Sequence, residues 1–462
     1  MNIYVKDIIE ICNAKLICGN PDLECVNFSK DTRTILENDV YVAIKGEKFD
    51  GNDYYEEAFL KGASACILDN IDLNNFDYQK YSDKTILLVE DSIKCLWQLA
   101  SFKRSKYNIE VVAITGSVGK TSTKDMVANV LSQKYRVLKT SGNNNNHIGL
   151  PLTILKLKDE EVLVVEMGMN HFKEISLLTN IAKPTIAIIT NIGTSHVGNL
   201  GSRENILKAK LEIVEGLSKD GILIVNNDND LLHNLKIDNT NILTVGIDNK
   251  STYMAQDIKI MNESMTFNVN DNNKLININL NIGATPFVYN SLIAYAVGRI
   301  LNLDENAIKR GIETVELSKN RLAKINMKKG YTIIDDTYNA SYDSMKLALN
   351  ILKNTKGKRK IAVLGDMLEL GDYTKEMHEK IASEIINNDI DIVITIGNYS
   401  KYIDEKLIEL NFSKDNLYHF DKESDTYEIL DKLFEKDDVI LFKSSHAIGL
   451  TNIVNYLLKM EE

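Results

Sequence analysis

The residues with the clearest capacity for chemistry stand at Thr115–Ser122, T-G-S-V-G-K-T-S. Gly116 and Gly119 allow a tight turn that brings the backbone N–H groups of Ser117, Val118 and their neighbours close to an anion. A helix starting immediately afterwards, through Ser122, adds the partial positive charge of its N-terminus. Lys120 is spaced to reach the β- and γ-phosphates of a nucleotide, and the Thr121 hydroxyl to ligate Mg²⁺. Ile114 stands where the commoner G-x-x-x-x-G-K-[ST] loop has its first glycine, so this is the shorter G-x-x-G-K-[ST] form. The chemistry indicated is the binding of a nucleotide's β- and γ-phosphates with Mg²⁺.

Such a loop works only between a strand and a helix, and the surrounding pattern supplies both. Apolar runs at Ile109–Thr115, Val162–Glu166, Thr185–Thr190, Ile222–Asn226 and Ile242–Val245 read as buried strands. Between them, Thr121–Gln133 places Met126, Val127, Val130 and Leu131 on one helical face. Buried strands alternating with helices predict a parallel sheet covered on both faces. The alternation at Ile276–Ile282 predicts a half-buried antiparallel strand, followed by a helix at Phe287–Leu301. Before this unit, Val40–Ile44, Ala65–Leu68 and Thr85–Glu90, with a helix at Tyr54–Leu60, suggest a small α/β unit. After it, Tyr331–Asp335, Lys360–Gly365, Asp391–Gly397 and Asp438–Lys443 suggest a second, smaller parallel sheet. The fold class expected is α/β with three domains: residues 1–108, a central ATP-binding domain 109–315, and a Rossmann-like domain 316–462 that opens near Leu317.

A length of 462 residues suits about three cores. The formal net charge of −11 argues against nucleic acid and against an anionic membrane surface as partners. No run reaches the ~18 apolar residues of a membrane span, and the start MNIYVKDIIEI lacks the pattern of a signal peptide. The five cysteines, Cys12, Cys18, Cys25, Cys66 and Cys95, contain no C-x-x-C pair and read as free thiols in a reducing cytoplasm.

The loop is similar to the ATP site of the Mur ligase family and its folylpolyglutamate synthetase relatives, and further motifs follow in order along nearly the whole chain. Ser29–Arg33 with Ala43–Gly51 resembles the family's first domain. Asn143–Thr153, Glu166–Asn170, Thr190–His196 and Lys208–Ile213 resemble its centre. Asp335–Ala340 and Leu364–Gly371, the latter L-G-D-M-L-E-L-G, resemble the third domain of the branch that adds D-alanyl-D-alanine. Two places depart: Ser341-Tyr342 stands where the family usually has Asn-Pro, and Lys443-Ser444-Ser445-His446 where it has K-G-S-R.

The resemblance implies that ATP activates a carboxylate as an acyl phosphate, which an amine then attacks. The substrates implied are UDP-MurNAc-tripeptide and D-Ala-D-Ala, with two Mg²⁺ ions, a monomeric cytoplasmic protein and no membrane insertion. Thr121 and Glu166 would hold the first ion and His196 the second; Glu166 and His196 follow neighbouring strands at the end where such sheets bind ligands. Lys210 corresponds to a carbamylated lysine, although its place on an expected helix Arg203–Leu217 would otherwise leave it solvated beside Glu204 or Glu212. Asn290 would meet the adenine, and Arg321 and Asp336 the phosphate and ribose. Ser29, Asp31, Thr32, Arg33, Lys45 and Gly46 would meet the UDP-sugar; Asn145, His147, Asn339 and Lys443 would lie near the peptide and dipeptide. The alternatives are a Mur-type ligase adding the third residue, a polyglutamate-type ligase, and a nucleotide-binding paralogue that does not ligate.

Overall fold

The computed structural model describes all residues except Met1, Asn262, Glu263, Leu317, Lys319 and Glu462; the expected start of the third unit at Leu317 lies outside them. Three large sheets follow one another along the chain. The first has five strands in the order Lys15–Cys18, Thr85–Leu88, Ala65–Leu68, Val40–Val42, Phe28–Ser29.

The second has nine. Glu110–Thr115 lies inside it, parallel to Val162–Glu166 on one side and Ile186–Ile189 on the other. Glu166 pairs with Ile114 and Ile189 with Thr115, so three strands end level at one rim. Their side chains are buried on both faces, as continuous Val/Ile runs require. The helix Lys120–Leu131 packs between this sheet and the helix Pro286–Ile300. In Lys274–Leu280, Ile276, Ile278 and Leu280 are buried while Asn277 and Asn279 face outward, as their alternation predicts. Two neighbouring strands, Tyr253–Met261 and Ser264–Asp271, escaped the sequence reading. A bulge between Gln256 and Lys259, with Asp257 at φ 53°, breaks the alternation of the first.

The third sheet has six strands, with Thr332–Asp335, Val439–Lys443, Lys360–Gly365 and Ile392–Ile396 parallel at its centre. Ala323–Asn326 and Leu417–Phe420, too short to declare a period, form its edges.

The expected helix Arg203–Leu217 is corrected: it is α-helical over Arg203–Leu211 and tightens to 3₁₀ over Glu212–Gly216. Glu212 does not pair with Lys210. Its carboxylate accepts from the N–H groups of Lys173 (2.8 Å) and Ser176 (3.1 Å), satisfying the free donors at the start of the helix Glu174–Ala182.

The helix Ser92–Ser105 fastens the first unit to the second. Arg104 donates to the carbonyls of Ala182 (2.8 Å) and Lys183 (3.2 Å), and the Trp97 indole to that of His147 (2.6 Å). Among the described residues no helix is long and apolar enough to cross a membrane.

One ionisable cluster in the third unit makes its stability depend on pH. Asp404 accepts from Thr395 Oγ1 (2.7 Å) and lies 3.0 Å from His419 Nδ1, but its Oδ1 is buried without a partner. Burial pushes its carboxyl up from 3.8 to about 6. Its folded value therefore exceeds its unfolded one, so the folded state keeps a proton that the unfolded state loses between pH 4 and 6, and stability falls as pH rises through that window. Relative to Asp404→Asn, the wild type should lose roughly 1–3 kcal/mol between pH 4 and pH 7. Denaturant titrations of both proteins across that range check this; a constant difference contradicts it.

Candidate functional site

At the shared rim, the segment after Ile186–Ile189 wraps the phosphate loop. Asn191 O accepts from Ser117 N (3.0 Å), Asn191 Oδ1 from Val118 N (3.0 Å), and Thr190 Oγ1 donates to Val118 O (2.7 Å). The N–H groups of Ser117 and Val118 are thus already engaged, and these residues contribute the loop's shape. The donors that remain are those of the first turn of Lys120–Leu131, where Lys120, Thr121 and Ser122 have no intrahelical acceptor. Gly116 is obligatory: a Cβ there would sit 1.9 Å from Thr190 Oγ1. Gly119 begins the helix at φ 84°, a left-handed conformation that favours glycine.

This loop forms one wall of a cleft of about 570 Å³. Thr121 Oγ1 donates to Glu166 Oε2 (2.8 Å), and Asn145 Nδ2 to Glu166 Oε1 (2.8 Å), with Glu166 only 1% exposed. Lys120 Nζ folds back onto the carbonyls of Gly116 (2.9 Å) and Ser117 (3.4 Å). Burial, with the charge of Arg321 nearby, holds its ammonium below the ordinary lysine value despite Glu166. Lys210 lies behind the cleft, 1% exposed, and burial followed by repulsion from Lys120 drives it well below that value. Among the described residues, no carboxylate pairs with it. On a chain of net charge −11, a local excess of desolvated cations marks a place for a bound polyanion.

The third unit supplies the opposite wall. Arg321 stacks on the Tyr338 ring, 3.9 Å from its centroid. Asp336 ion-pairs with buried Lys443, whose Nζ also donates to Asn339 O (3.0 Å). Asn290, from the second unit, also lines the cleft and accepts from Thr123 Oγ1 (3.0 Å).

The two walls are clasped through Asp343 and Glu369, which the sequence reading left unassigned. The Asp343 carboxylate accepts from Thr194 N (2.8 Å) and Thr194 Oγ1 (3.0 Å). His196 Nδ1 stands 2.7 Å from Glu369 Oε2, yet off the direction of a hydrogen bond, so that nitrogen remains buried without a partner. Burial lowers the His196 pKa and Glu369 only partly restores it. Both residues take positive φ, 65° and 64°. Glu369 lies within L-G-D-M-L-E-L-G, so its motif was visible while its role was not; Asp343, just beyond Asp335–Ala340, carried no signal.

The departure at Ser341-Tyr342 has a structural explanation. Ser341 caps the helix Tyr342–Asn354 through Ser344 N, and Tyr342 Oη donates to Glu384 (2.9 Å). At the second, Ser444 Oγ, where the family has glycine, donates to Ser445 O (3.0 Å), and the His446 ring, where it has arginine, lies 6.2 Å from that of Tyr338.

Other candidates lie outside the cleft. Asp31 and Arg33 pair with each other, which holds the Asp31 carboxyl down at about 2. Ser29 Oγ donates to Asp31 O, and Thr32 Oγ1 to Glu57. The backbones of Lys45 and Asp50 form an isolated antiparallel bridge, and Gly46 N donates to Phe49 O. His147 is exposed, with its carbonyl taken by Trp97.

The clasp gives a measurable expectation. Asp343→Ala would leave Thr194 N–H and its hydroxyl without an acceptor, a loss of about 1–3 kcal/mol in the closed form. Followed by small-angle scattering, compaction by a non-hydrolysable ATP analogue should then need about tenfold more analogue than in the wild type, since 1.4 kcal/mol is a factor of ten. Superimposable titrations would remove Asp343 from the clasp.

Comparison with known proteins agrees with this arrangement. The Mur ligase middle domain matches residues 114–298 and the Mur ligase glutamate ligase domain residues 320–446. The UDP-N-acetylmuramoyl-tripeptide–D-alanyl-D-alanine ligase of Bacillus subtilis is 37% identical over 98% of each chain. The enzyme of the same name from Escherichia coli is 31% identical over 87% of this chain and 88% of its own. A crystal structure of MurF from Acinetobacter baumannii superposes with a TM-score of 0.87 at 26% identity, covering 99% of both chains. MurF from Thermotoga maritima in complex with ADP gives 0.79 at 31%, over 94% of this chain and 97% of that one. The chain belongs to the Mur ligase family.

Proposed function

We propose that this protein joins D-alanyl-D-alanine to UDP-N-acetylmuramoyl-tripeptide at the expense of ATP, in the cytoplasmic synthesis of peptidoglycan precursors. The observation that carries this is the cleft itself: the phosphate loop and Glu166 on one wall, Arg321, Asp336 and Lys443 on the other. The relatives' names supply the substrates. The tripeptide's terminal carboxylate attacks the γ-phosphorus, giving an acyl phosphate and ADP. The dipeptide's amine then attacks the acyl carbon; the C–N bond forms, the C–O bond to phosphate breaks, and the amine's proton leaves to solvent. Lys120 and Arg321 offset the charge on the transferring group from opposite walls.

Thr121 Oγ1 and Glu166 Oε2 provide adjacent hard oxygens suited to Mg²⁺, which would neutralise phosphate charge when bound. Among the described residues no cluster of three or more His, Cys, Asp or Glu could hold a metal. That fits an ion held largely by phosphate oxygens and water. His196, with a ring nitrogen still unpartnered, is our candidate for the second ion. Lys210 is our candidate for carbamylation, since carbon dioxide adds only to a neutral amine and burial favours that form. We assign residues 1–108, including Ser29, Asp31, Thr32, Arg33, Lys45 and Gly46, to the UDP-sugar; residues 109–315 to ATP; and residues 316–462 to closure over it. Asn145, His147 and Asn339 are assigned to the peptide end.

Phosphate release should require both the UDP-linked tripeptide and D-Ala-D-Ala, with the new amide seen by mass spectrometry. Release with a UDP-linked dipeptide and a free third amino acid would point to the third-residue branch. Release indifferent to any amine would reject ligation.

A further inference from the structure

Two of the five cysteines, far apart in sequence, meet in the first unit. Cys12 is the last residue of the helix Val5–Cys12, and Cys95 lies in the first turn of the helix Ser92–Ser105. Their sulfurs are 2.8 Å apart, and Cys12 Sγ also faces Cys95 O at 3.6 Å. A disulfide needs ~2.05 Å, so the two sulfurs stand within about 1 Å of bonding distance. Cys12 is half-buried, whereas Cys95 is 1% exposed. The other three thiols are differently placed. Cys25 and Cys66 are buried, Cys66 facing Tyr55 O, and among the described residues neither they nor Cys18 meet another sulfur. Neither Cys12 nor Cys95 lines the ATP cleft.

We propose that Cys12 and Cys95 form a reversible disulfide by exchange with a small-molecule disulfide such as oxidised glutathione. The half-buried Cys12, as thiolate, attacks one sulfur of the reagent; its S–S bond breaks and one thiol departs. Cys95, losing its proton, attacks Cys12 Sγ in the mixed disulfide, and the second thiol departs. The protein loses two electrons and two protons, and the reagent takes up both as two thiols. In the reduced protein the neighbouring Cys12 sulfur, followed by burial, raises the Cys95 pKa. The bond would tie the short N-terminal helix to the helix that carries Trp97 and Arg104 into the second unit.

The test is disulfide mapping of the folded, full-length protein after incubation with oxidised glutathione. The expected product has lost two hydrogens, yields one linked peptide pair containing Cys12 and Cys95, and returns to the starting mass with dithiothreitol. Cys95→Ser should instead stop at a glutathione adduct on Cys12, and Cys12→Ser should yield neither product. A wild type that stops at the Cys12 adduct, or links scattered among Cys18, Cys25 and Cys66, would overturn the proposal. The wild-type map decides the matter even where a variant folds poorly.

Discussion

Lys120→Ala is expected to lower turnover by roughly 10²-fold or more while the protein stays folded. The side chain spends its hydrogen bonds on the carbonyls of Gly116 and Ser117, within its own loop, and packs into no hydrophobic core. Ser117 lines the cleft, where water can replace the ammonium at its carbonyl, so the fold loses little. Catalysis loses much more, because the ammonium's positive charge stands in a desolvated cleft where charge builds up on the transferring phosphoryl group. Steady-state turnover, with circular dichroism and thermal unfolding as controls, checks this. A folded variant with near-normal turnover would show that Lys120 does not meet the phosphates.

Lys210→Ala is expected to lose roughly 10–100-fold in activity, the usual scale for groups that orient metal ligands, again without unfolding. A buried ammonium with no carboxylate beside it adds no ion-pair stability, so its removal leaves no orphaned partner. In the carbamate form proposed above, this unpaired cation would become an anion near Lys120. Acetate or formate should restore part of the lost activity by filling the vacated anionic position. An independent readout is a carbamate ¹³C signal in wild type equilibrated with ¹³C-bicarbonate, absent from the variant. Unimpaired turnover in carbonate-free buffer, or a wild type without that signal, would reject the carbamate.

The sequence by itself determined the elements whose causes are local. The phosphate loop was legible because its glycines, lysine and threonine act within eight consecutive residues. The strands beside it were legible because a strand buried on both faces must be continuously apolar. The rule that ligands sit at the carboxyl ends of such strands brought Glu166 and the segment before His196 to the same rim. Where a period was short or interrupted, as at Ala323–Asn326 or the bulged Tyr253–Met261, the strand was missed.

Only the tertiary structure decided what depends on pairs distant in sequence. Helical position alone would leave Lys210 solvated beside Glu204 or Glu212; packing buries Lys210 and sends Glu212 to cap another helix. Asn191 using up the N–H groups of Ser117 and Val118, Asp343 crossing to Thr194, Glu369 standing against His196, and Cys12 meeting Cys95 follow the same rule. Periodicity reports which face of an element is apolar, but carries no information on which other element will cover it. That choice is made by the relative placement of whole sheets and helices, where the burial, charge and partners of each functional side chain are finally set.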